Sequence, residues 1–180
     1  MNALPVRSRL PLIALMLCGA AWPAAAVGAS DPTGFQRVRS DNARIANAVA
    51  EGNRRSTIFR KIALAIEATD GLVYIEPGKC WDRAKGCLLH KMSAVGENRY
   101  LWIDIDLNDT AVNVIVRIAH ELRHALEILS DASIRTGQQI LSFYQPQGIP
   151  LGRSYETAAA LAAGAAVRDE LGKNAFASSR

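Results

Sequence analysis

The chain of 180 residues is poor in the residue types that most often announce a function. It holds three cysteines, three histidines and three methionines, and aromatic residues make up only 6% of it. Few aromatics and no basic stripe for them to interleave with exclude an ordinary nucleic-acid surface. Charge of one sign is missing too, with 21 Lys and Arg against 17 Asp and Glu. Long hydrophobic runs are also absent: the longest, Leu10 to Ala21, is about a dozen residues, short of the roughly twenty that span a bilayer. Stable membrane insertion is therefore not expected.

That run is placed as a secretory signal would place it. Arg7 and Arg9 precede it, and small residues follow, with Ala24-x-Ala26 and Val27-x-Ala29 as alternative cleavage sites. Residues 1–29 are read as a signal peptide, and 30–180 as one exported domain, periplasmic or secreted. Cys18 leaves with the signal, and Leu17 before it is too large for a lipoprotein site. Cys80 and Cys87 remain, and an even pair in an exported chain favours a disulfide.

Periodicity predicts an α+β fold, a small mainly antiparallel sheet packed on about three helices. Asp41 to Glu51 and Ser56 to Thr69 read as helices, the second capped by Ser56. Leu72 to Glu76 reads as a strand. Leu88 to Val95 and Arg99 to Leu107 read as hairpin arms around Gly96-Glu97-Asn98. In the second arm Leu101, Ile103, Ile105 and Leu107 alternate with Trp102, Asp104 and Asp106, so one face is buried and the two aspartates share a solvated face. Ala111 to Leu129, with Thr110 near its start, is the clearest amphipathic helix; Ile134 to Phe143 is a weaker one. Ser154 is expected to cap an alanine-rich helix to Leu171.

Two of the three histidines lie in one pentapeptide, His120-Glu121-Leu122-Arg123-His124, within the clearest helix. Four residues apart, the imidazoles stack on one face and can share a metal ion, while Glu121 is rotated by about 100° and can serve a water beside it. Chance alone produces such a pentapeptide in roughly one chain in two hundred of this length. The competing reading is a solvent-facing His pair.

On these five residues the chain resembles the zincin class of zinc metallopeptidases. The resemblance implies Zn2+ on His120 and His124, Glu121 as catalytic base, and a peptide or protein substrate. The metzincin extension is absent: Glu127 stands where that pattern has glycine, Ser130 where it has its last ligand, Asp131 comes one place late, and no methionine follows the motif. The gluzincin alternative takes a glutamate from a later helix, and Glu156 is the candidate, with Asp169 and Glu170 as substitutes. Tyr144, Arg153 and Tyr155 are candidate oxyanion partners, and His90 reads as structural. An exported zinc-binding or interaction protein without catalysis is the alternative function. Glu121 argues against it, because mere binding has no use for a carboxylate there.

The signal reading predicts that exported protein begins near Val27 or Ser30. N-terminal sequencing checks it, and a retained Met1 rejects it.

Overall fold

The computed structural model describes residues 33–152 and 154–177. The expected signal, 1–29, lies outside them. Along the described chain run β1 (Val38–Arg39), α1 (Ala43–Arg55), α2 (Thr57–Glu67), β2 (Gly71–Pro77) and β3 (Gly86–Val95). There follow β4 (Asn98–Ile105), α3 (Ala111–Leu129), α4 (Gly137–Tyr144), β5 (Ile149–Leu151), β6 (Ser154–Glu156) and α5 (Ala158–Ala177). Among the described residues, no helix is long and apolar enough to cross a membrane.

The fold is α+β, with five helices among the described residues rather than three, and its main sheet is mixed rather than mainly antiparallel. The strand order is β1-β2-β4-β3; β1 with β2 and β2 with β4 are parallel, and only β3 with β4 is antiparallel. The hairpin was foreseeable from its turn, but the partner of its second arm was not. Apolar matching decides it: β2 aligns Val73 and Ile75 with Leu101 and Ile103 of β4, making one fully buried face. The more polar β3 is left at the edge. On the opposite face Tyr74 and Trp102 stack at 6.2 Å, with Lys91 Nζ 4.5 Å above the Trp102 ring.

Local capping sets the helix starts. Asn42 Oδ1 accepts from the backbone amides of Arg44 and Ile45, and Ser56 Oγ accepts from Phe59. Thr110 Oγ1 accepts from the Asn113 amide at 3.3 Å. The last helix departs from expectation: Ser154 does not cap it, because Ser154–Glu156 pairs with Ile149–Leu151 as a small hairpin. Thr157 is the cap, its Oγ1 accepting from the Ala160 amide at 3.1 Å. Glu156 therefore precedes the helix rather than sitting in its first turn. Cys80 and Cys87 are bonded, with Cα atoms 5.9 Å apart, tying the loop after β2 to the edge strand.

One buried charge fixes α3 against the sheet. Arg99, at the start of β4, is 1% exposed and pairs with Asp70 at 2.6 Å. Its remaining N–H groups donate to the carbonyls of Leu129 (2.7 Å), Asp131 (2.7 Å), Ile134 (3.0 Å) and Ile128 (3.3 Å). Leu129 and Ile128 are at the C-terminal end of α3, where carbonyls lack intrahelical partners, and Asp131 and Ile134 are in the turn beyond it. Arg99→Met should leave Asp70 and the Leu129 carbonyl without their partner and destabilise the fold by about 3 kcal/mol or more. Urea unfolding checks this, and an unchanged midpoint rejects the anchoring role.

Candidate metal centre

The pentapeptide lies in the second half of α3, where the helix passes beneath β3 and against α5. His120 and His124 project from one side, their ring centroids 5.0 Å apart. α5 approaches closely because it is built of small residues there: a Cβ on Gly164 would lie 3.6 Å from the His120 ring. The end of β6 brings in Glu156, with Oε1 3.2 Å and Oε2 3.1 Å from His120 Nε2. His124 Nε2 is 3.8 Å from Glu156 Oε1.

One ligand atom from each of His120, His124 and Glu156 thus falls within 4.8 Å of the others. Ligands about 2.0–2.2 Å from a tetrahedral zinc are themselves roughly 3.4 Å apart, so the set needs little adjustment. Three buried side-chain atoms among the described residues make no hydrogen bond, Arg117 Nη1, His124 Nε2 and Glu156 Oε2, the last of them in ion-pair contact with His120 Nε2 at 3.1 Å. Such groups are costly unless a partner satisfies them, and a metal cation is the partner that the chemistry of the His124 and Glu156 atoms fits.

His124 Nδ1 faces the other way, 3.2 Å from Glu127 Oε2 and 3.3 Å from Tyr144 Oη. Tyr144 Oη also donates to the His124 carbonyl at 3.1 Å. Glu121 is buried, and its Oε2 accepts from the Leu88 amide of β3 at 2.8 Å. Burial pushes its carboxyl above the ordinary value against the pull of His120 and His124. Glu156 is moved the opposite way: burial opposes ionisation, but hydrogen bonds and charge from the two histidines hold it well below the usual carboxylate range. Burial also works against a charged His124, yet the neighbouring carboxylates of Glu127, Glu156 and Glu121 raise it to about 9.

A cavity of about 50 Å³ adjoins these groups, lined by Glu121, His124, Glu156, Tyr144, Tyr155 and His90 among others. That volume suits an ion and a few waters. The Tyr155 ring stacks on Tyr144 at 6.3 Å. His90, read from sequence as structural, lines the cavity, and burial followed by the nearby His124 charge lowers its pKa. A bulge in β3 between Leu88 and Met92 brings it there, and Gly137 packs so tightly behind that a Cβ would sit 2.3 Å from the His90 carbonyl oxygen. Bulges are not legible in a single sequence.

The other candidates lie elsewhere. Arg153 is outside the described residues. Glu170 accepts from Ser56 Oγ at 2.5 Å and from the Ile58 amide, serving the start of α2. Asp169 is twelve positions beyond Thr157 on α5, about 18 Å along a helix. Asp106 pairs with Lys85, and Asp104 is raised by burial and by Glu76. Glu127, which stands where the metzincin pattern has glycine, is three residues beyond His124 on the same helix and touches the rear of its ring. A larger hollow of about 680 Å³ between α1 and α3, lined by Ala48, Val114, Ile115 and Arg44, lacks any grouping of metal-ligating side chains among the described residues. No protein-family profile, curated protein or solved structure matches the chain.

The charges imply a pH dependence for chelator-treated protein. His124 is raised from 6.5 to about 9, so its stabilisation is complete below pH 6.5 and is lost as pH rises through 9. The depressed Glu156 contributes above its ordinary value of 4.5 and loses that contribution as acid protonates it. The unfolding midpoint should therefore fall between pH 6.5 and 9, and His124→Asn should flatten that limb. An equally steep limb in the variant rejects the assignment.

Proposed function

We propose that the protein is a zinc-dependent hydrolase that cleaves peptide bonds after export. The observation that carries this reading is the convergence of His120, His124 and Glu156, two of whose buried atoms lack hydrogen bonds, beside a cavity lined by the carboxylate of Glu121. The donor set of two imidazoles and one carboxylate suits zinc, and three protein ligands leave a position free for chemistry. A zinc ion held there supplies Lewis acidity toward water and a carbonyl oxygen.

The remaining work falls to the chain itself. Glu121 accepts a proton from the attacking water and delivers it to the leaving amide nitrogen. Burial raises its proton affinity, which helps it take the proton, and the Leu88 amide holds Oε2 in place so that Oε1 serves the water. His90 and Tyr155 line the same cavity and are the side chains best placed to oppose charge on the carbonyl oxygen. Tyr144 is committed to His124 and acts in positioning. Burial holds its hydroxyl far above the ordinary phenol value, so it stays protonated. The small cavity admits the reacting carbonyl, with the rest of a peptide outside it.

An exported zinc-binding protein without catalysis uses the same three ligands and keeps Glu121 only as the acceptor of the Leu88 amide, leaving no role for its second oxygen beside the cavity. A disulfide between Cys80 and Cys87 agrees with an oxidising compartment.

Purified protein should bind one zinc per chain. His120→Ala and Glu156→Ala should each lose it, while Glu121→Gln should retain it and hydrolyse peptides about 10²–10⁴-fold more slowly. Metal analysis and a peptide-cleavage assay check these outcomes. Undiminished zinc in Glu156→Ala, or wild-type turnover in Glu121→Gln, overturns the reading.

A further inference from the structure

We propose that Glu127 is a positioning residue whose single carboxylate couples two metal ligands, His124 and Glu156. The inference rests on the metal reading above. Glu127 is on α3, one turn beyond His124, with its side chain 11% exposed. Its two oxygens have different partners. Oε2 is 3.2 Å from His124 Nδ1 and accepts from Tyr144 Oη at 3.4 Å. Oε1 accepts from Thr157 Oγ1 at 2.8 Å.

The first contact sets the tautomer. A carboxylate only accepts, so Nδ1 must keep its hydrogen, and in the neutral ring that a metal requires the lone pair falls on Nε2, the nitrogen beside Glu156. Tyr144 Oη directs its one hydrogen to the His124 carbonyl or to Glu127, so at 3.3 Å from Nδ1 it too can only accept there and reinforces the same tautomer. The second contact acts on the other ligand. Thr157 is bonded in sequence to Glu156 and caps α5, so holding its hydroxyl fixes the backbone at the junction of β6 and α5 that delivers the Glu156 carboxylate. Glu127 does not ligate: it touches the His124 ring at the nitrogen that faces away from the cluster. Partners of this kind tune ligand orientation and basicity, and losing one weakens metal binding about 10–100-fold.

The test is zinc affinity of the whole protein, measured by competition with a chromophoric chelator. Variants are Glu127→Leu, Glu127→Gln, Thr157→Val and the double variant Glu127→Leu with Thr157→Val, each checked by thermal unfolding. Glu127→Leu should bind about 10–100-fold more weakly. Glu127→Gln should recover most of that loss, since its amide oxygen still accepts from Nδ1. Thr157→Val should weaken binding several-fold, and the double variant should be no worse than Glu127→Leu, because both act through one carboxylate. In zinc-loaded protein the His124 Nδ1–H should give a slowly exchanging NMR resonance that Glu127→Leu shifts and makes faster to exchange, because only the neutral Tyr144 oxygen then accepts it, a signature that a merely packing role does not produce. Wild-type protein that binds no zinc overturns the metal reading and this inference with it. Zinc-binding wild type with unchanged affinity and an unchanged Nδ1–H signal in folded Glu127→Leu overturns the inference alone. Should Glu127→Leu fail to fold, Thr157→Val decides: wild-type affinity there rejects the coupling.

Discussion

The buried guanidinium of Arg99 is the contact on which the arrangement of helix and sheet depends. It lies in β4, pairs with Asp70 just before β2, and takes up carbonyls at the end of α3 and in the turn beyond it. Desolvating a guanidinium costs several kcal/mol unless all of its donors are used, so few placements of α3 satisfy it. The carboxyl of Asp70 is held below its ordinary value chiefly by the Arg99 hydrogen bonds. With the end of α3 pinned, the helix passes beneath β3 at the level where the Leu88 amide meets Glu121.

That placement explains why an apolar helix tolerates so much polarity. Ile115, Ile118, Leu122 and Ile128 are all buried, each contributing about 1.5–3 kcal/mol. Their sum exceeds the cost of burying Glu121 and His124, provided each polar atom finds a partner. Most do: the Leu88 amide serves Glu121, and Glu127 and Tyr144 serve His124 Nδ1. His124 Nε2 and Glu156 Oε2 do not, and they face each other's ligand cluster. Partner groups are missing where a cation fits, while the surrounding polar atoms are satisfied.

Much of the site was legible along one helix. Residues four apart share a face, so His120 and His124 converge and Glu121 turns aside from sequence spacing alone, and a three-residue spacing connects Glu127 to His124. Glu156 was reachable because few acidic residues follow the motif, although its setting was misread. Ser154 and Tyr155 look like the entry to a helix, yet they pair with Ile149–Leu151 instead, since Gly152, at a positive φ of 59°, makes the turn between the two strands. His90 was missed because its approach depends on a bulge, whose extra residues carry no sequence mark.

The sequence by itself determined the local elements: the capped helices α1, α2 and α3, the hairpin of β3 and β4, the disulfide partners and the spacing of the histidine pair. Each depends on dihedral preference, periodicity or scarcity, which act over a few residues or leave a single choice. Only the packing of distant segments settles that β4 inserts beside β2, that β6 delivers Glu156, and that His90 and Tyr144 gather around the histidines. Those outcomes depend on matching apolar faces and satisfying buried polar groups between segments far apart in the chain, and no local preference encodes which distant surface supplies the match.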